Sequence, residues 1–63
     1  MNFQDVLKKL KKDGWYVVEQ VGSHVQLKHP TKPGRVTLPK HGSKDIPIGT
    51  IKSIAKQSGI ELP

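Results

Sequence analysis

Residues 22–39 read Gly22-Ser23-His24-Val25-Gln26-Leu27-Lys28-His29-Pro30-Thr31-Lys32-Pro33-Gly34-Arg35-Val36-Thr37-Leu38-Pro39, and this stretch decides the fold. From His24 to His29 polar and apolar side chains alternate. Val25 and Leu27 fall on one side, His24, Gln26 and Lys28 on the other, the period of a strand with one buried face. Arg35 to Pro39 resumes the pattern, with Val36 and Leu38 inward and Arg35 and Thr37 outward. The intervening Pro30-Thr31-Lys32-Pro33-Gly34 is rich in turn formers. Upstream, Gly22-Ser23 is a turn signal, and Trp15 to Val21 is dense in aromatic and β-branched residues, so a further strand is expected there. The short connections make the three an antiparallel meander.

Helical patterns bracket the meander. Phe3, Val6, Leu7 and Leu10 follow the i, i+3, i+4, i+7 spacing of one helix face, with Lys8, Lys9, Lys11 and Lys12 on the remainder. Asn2 is placed to cap this helix, Asp5 to favour its positive end, and Gly14 to stop it. Asp45 is expected to cap a second helix, with Pro47 in its first turn. Ile48, Ile51, Ile54 and Ala55 form its apolar stripe, and Gly59 ends it. The expected architecture is α+β in the order α-β-β-β-α, a three-stranded antiparallel sheet with two helices on one face. This is the order of double-stranded-RNA-binding domains, which read RNA shape through 2′-hydroxyl and phosphate contacts. Fold alone does not settle function.

At 63 residues the chain is one domain, 1–63, with a thin core. It has no cysteine, so neither a disulfide framework nor a thiolate metal site is available. Eleven Lys plus Arg against five Asp plus Glu give a formal net charge of +6. The isoelectric point is near 9.9. So dense a positive field favours phosphate-bearing partners or an acidic protein. No apolar stretch approaches the ~18 residues of a membrane span, and no signal-peptide core is present. The expected compartment is the cytoplasm, with no membrane partner.

His24 opens a strand on its polar face. An imidazole there can accept and donate protons in RNA cleavage, because RNA brings its own nucleophile, the 2′-hydroxyl, beside each phosphate. The competing reading is an inert surface histidine. Lys28 and Arg35 share the face that the helices leave bare, and Lys40 and Lys44 flank a loop leading to a helix N-terminus, where phosphate is favoured. These four cations, with the adjoining Ser23, are the candidate RNA contacts. Lys8, Lys9, Lys11 and Lys12 serve equally well as the wet side of a helix, and Lys52 and Lys56 suit RNA or an acidic partner. His29, five residues from His24, faces the other way and is expected to pack at the strand end. His41 is expected to sit exposed in its loop. The three histidines lack metal-site spacing, so neither metal nor cofactor is expected. Trp15 is expected in the core rather than stacked on a base.

Taken in order, the segments Gly14-Trp15, Gly22-Ser23-His24, Lys28-His29-Pro30, Gly34 to Pro39, Asp45 to Thr50 and Lys52 to Ile60 resemble the HicA family of toxin–antitoxin ribonucleases. The resemblance covers nearly the whole chain. It implies a double-stranded-RNA-binding-like fold, endonucleolytic cleavage of mRNA, and neutralisation by a HicB-type antitoxin. It also implies that the histidine of the Gly-Ser-His element, here His24, is catalytic. Family members often carry an aromatic after that histidine, where this chain has Val25. The alternative function is a non-catalytic RNA-binding module that uses the basic surface.

Overall fold

A computed structural model describes residues 1–62, in the order α1 (Phe3–Lys12), β1 (Tyr16–Val21), β2 (His24–Lys28), β3 (Val36–Pro39) and α2 (Ile48–Ser58). The α-β-β-β-α order matches expectation. Each strand is one residue shorter than its pattern, because Trp15, His29 and Arg35 lie just outside the ladders.

The ends of α1 follow from local chemistry. The Asn2 side chain accepts the Asp5 N–H at 3.0 Å, and the Asp5 carboxylate accepts the Asn2 N–H at 3.1 Å, a reciprocal capping box. At the other end Gly14 N–H donates to the Lys11 carbonyl and Trp15 N–H to the Leu10 carbonyl, both at 3.0 Å. This paired closure needs a left-handed residue, and Gly14 has φ 108. A Cβ at Gly14 would also lie 2.9 Å from His29 Nε2, so the close approach demands glycine a second time. The turn delivers Trp15 into the core, where it is 2% exposed.

The start of α2 departs from expectation. Asp45 does not cap it; the N-cap is Pro47, which provides no side-chain hydrogen bond. A residue before proline is driven to extended backbone, so Ile46 cannot be helical. Asp45 instead forms a β-bridge with Asn2, and Ile46 N–H donates to the Met1 carbonyl at 2.8 Å. In consequence Ile46 is buried in place of Ile48, which is 64% exposed.

The sheet order is β1-β2-β3, antiparallel throughout. Val25, Leu27, Val36 and Leu38 point to the helices and are buried with Phe3, Val6, Leu10, Ile51 and Ile54. The helices pack mainly over β3, and every residue of β1 is exposed.

A polar clasp joins the base of the fold. Lys32 Nζ donates to the Asp13 carboxylate at 2.6 Å and to the Ser58 carbonyl at 3.0 Å, placing a cation at the C-terminal ends of both helices, where the dipoles favour it. The Lys32 ammonium is the main reason the Asp13 carboxyl lies below its ordinary range; desolvation opposes this, and the His29 ring and Trp15 indole add smaller pulls. The Trp15 N–H falls short of hydrogen-bond geometry with any partner among the described residues. His29 Nδ1 accepts the Thr31 and Lys32 backbone N–H groups, each at 3.1 Å. The ring proton is therefore assigned to Nε2, which donates to the Asp13 carbonyl at 2.7 Å. The ring meets Trp15 edge-on, with centroids 5.2 Å apart. His29 is thus a packing residue, as its position suggested.

Candidate functional site

The sheet face turned away from the helices is bare, and strand register assigns its residues. Between β1 and β2 the partners are Tyr16 with Lys28, Glu19 with Gln26, and Val21 with His24. Between β2 and β3 they are His24 with Pro39 and Gln26 with Thr37. Directly opposed residues of antiparallel strands share a face. Three rows result: Val21, His24 and Pro39 beside the Gly22-Ser23 turn; Glu19, Gln26 and Thr37 in the middle; Tyr16 and Lys28 at the far end, with Arg35 beyond. Thr37 Oγ1 donates to Gln26 Oε1 at 2.9 Å, which ties the middle row.

Tyr16 shares this face with Glu19 and Val21 only because β1 carries a bulge. The register shifts between Val17 and Glu19, so Val18 is an extra residue without a partner. Under strict alternation Tyr16 would oppose Glu19 and Val21; the bulge re-phases the strand and brings all three to one side.

His24 is exposed at the start of β2. Gly22 takes φ 58 in the two-residue turn before it, and Gln20 Nε2 donates to the Gly22 carbonyl at 3.1 Å. Ser23 lies in the same turn, and its carbonyl accepts the Lys40 N–H at 2.6 Å. Lys28 shares the face with His24. Arg35 reaches across β2 to Glu19, with 3.4 Å between guanidinium and carboxylate. Lys40 is elsewhere: its Nζ stands 5.7 Å from the centre of the Phe3 ring, on the helix side. Lys44 lies in the exposed turn where its N–H donates to the His41 carbonyl at 3.2 Å. The fold therefore puts His24, Lys28 and Arg35 on one face, with Ser23 in the turn beside His24, and holds the Lys40 ammonium on the helix side.

Two residues of the face escaped the sequence reading, Glu19 and Tyr16. Nothing in Tyr16-Val17-Val18-Glu19 marks a bulge except the failure of the run to alternate. Among the described residues no three His, Cys, Asp or Glu side chains cluster to hold a metal ion. The surface depressions run along α1 and the segment after α2, lined by Lys9, Lys12, Ile60 and Glu61, away from His24. An open strand face suits an extended polymer or a protein surface better than a small molecule, which needs a concave pocket.

Fold and site together define a small open-sheet α+β domain that offers a histidine and cations on its uncovered face. A family model described as the HicA toxin of bacterial toxin–antitoxin systems matches residues 3–60, and the chain belongs to this family. It is accordingly a toxin of a toxin–antitoxin system, with an antitoxin as partner. No curated protein matches the chain significantly. No helix among the described residues is long and apolar enough to cross a membrane.

Proposed function

We propose that this toxin is a metal-independent endoribonuclease that cleaves mRNA in the cytoplasm, with His24 as its proton-transfer residue. A HicB-type antitoxin neutralises it by covering the open face. One observation carries the reading: an exposed imidazole shares an uncovered sheet face with Lys28 and Arg35 in a chain of a toxin family.

The chemistry asks little of the protein. The 2′-hydroxyl of RNA is tethered next to the scissile phosphate, so attack is intramolecular and no protein nucleophile is needed. His24 takes the 2′-hydroxyl proton or supplies one to the departing 5′-oxygen, a contribution of about 10²–10⁴-fold. Lys28 and Arg35, toward the other end of the face, hold phosphates further along the RNA strand and fix its register on the sheet. Ser23 contacts the backbone beside His24, and Lys40 and Lys44 meet flanking phosphates past the sheet. An acidic antitoxin surface would associate quickly with a +6 chain and exclude RNA from it.

The test is cleavage of an mRNA-length transcript by purified protein in the presence of a chelator. His24→Ala should lose at least about 10²-fold in rate while still binding RNA. Unchanged cleavage by the variant would remove His24 from the mechanism. If neither protein cleaves and both bind RNA alike, the chain is an RNA-binding module.

A further inference from the structure

Of the aromatic residues, Trp15 and Phe3 are buried, at 2% and 5% exposure, while Tyr16 is 48% exposed. Tyr16 opens β1 directly opposite Lys28, so its ring belongs to the open face, beside one cation and near Arg35. An aromatic side chain beside cations on a bare sheet is what an unpaired nucleic-acid strand requires. The ring supplies a stacking surface for a base, and the cations next to it meet the adjoining phosphates. The other end of the face has no such platform, since His24 is flanked there by Val21 and Pro39. Lys28 is four residues from His24, about 13 Å along the strand, so a chain engaged at both ends spans several nucleotides.

We propose that Tyr16 is a base-stacking subsite for single-stranded RNA, holding a nucleotide several positions from the phosphate at His24. The inference rests on the reading of the open face as an RNA surface. It assigns the two ends of the face different tasks: chemistry at the turn, and grip on an unpaired base at the start of β1. Because stacking needs a free base face, Tyr16 also biases the toxin toward unpaired segments of its substrate.

The experiment uses the non-cleaving His24→Ala protein and measures binding of a labelled single strand of about a dozen nucleotides, within the ~4–16 that such surfaces occupy. The same RNA as a duplex serves as the control. Tyr16→Val, which keeps β-propensity and an apolar side chain, should weaken single-strand binding roughly five- to hundredfold. Tyr16→Phe should bind within about twofold of the parent, because stacking needs the ring and not the hydroxyl. Duplex binding should be the same for all three proteins. If Tyr16→Val leaves single-strand affinity unchanged, or lowers both forms equally, the stacking assignment is wrong while the RNA reading stands. If the parent binds neither form, the RNA reading itself has failed and Tyr16 falls with it.

Discussion

Glu19 is the one carboxylate among the residues that line the open face, and it is paired with Arg35 across β2. Both side chains are about half exposed, 54% and 51%. Exposed pairs of this kind add little to stability, so Glu19→Gln should leave the unfolding free energy within about 0.5 kcal/mol of wild type. The effect on a polyanion should be larger. The carboxylate repels phosphate and competes with it for Arg35, and one such contact in water amounts to about 1 kcal/mol, roughly fivefold. Glu19→Gln should therefore tighten RNA binding by about that factor at low salt, read by titration with the His24→Ala protein. Weaker binding would mean that Glu19 orients Arg35 for RNA instead of holding it back. The two histidines of β2 and its exit make the complementary point. His29 commits both ring nitrogens to the fold, whereas His24 stands exposed at the strand start.

Among the elements, the clasp formed by Lys32, Asp13 and Ser58 links the loop between β2 and β3 to the ends of both helices. The Asp13 carboxyl lies below its ordinary range chiefly through Lys32, so its contribution is present in full above the unfolded carboxylate value of about 3.9. That contribution is lost as pH falls through the lower, folded value. Urea midpoints measured at pH 6 and again below pH 3 should thus fall further for wild type than for Asp13→Asn; parallel losses would mean that the clasp contributes nothing. None of this was legible from the chain, because Asp13, Lys32 and Ser58 are far apart in sequence and Lys32 sits in what reads as a plain turn. What was legible rests on short-range rules. The capping box at Asn2, the closure at Gly14 and the alternation of β2 and β3 are each decided within a few residues. The start of α2 was misread because Asp45 looks like a cap, while the constraint that Pro47 places on Ile46 decides the outcome. For the site, His24, Lys28 and Arg35 follow from alternation alone, and Tyr16 and Glu19 do not. A bulge is an exception to the period by which strand faces are read, and it depends on the register with β2.

At the scale of the molecule, the question is which of the eleven cationic side chains RNA would feel. The body measures 30 × 25 × 17 Å, and the lysines of α1 lie on the helix layer, away from the open face. At physiological ionic strength the screening length is about 8 Å, so a charge across the 17 Å dimension is more than two screening lengths from RNA bound at the face. Proximity, and not total charge, then sets the salt dependence. Each phosphate contact on a single strand contributes about 0.7 to the slope of log affinity against log salt. Lys28→Ala should reduce that slope by about 0.7, and Arg35→Ala by a similar amount once the guanidinium has left Glu19 for phosphate. Lys9→Ala and Lys11→Ala should lower affinity slightly at low salt and leave the slope unchanged. Lys40→Ala separates two geometries: with its ammonium on Phe3 the slope stays as it is, and a drop near 0.7 would mean that the side chain leaves the ring when RNA arrives. Equal slope changes at Lys9 and Lys28 would place RNA on both layers of the fold, and the open face would lose its claim to be the binding surface.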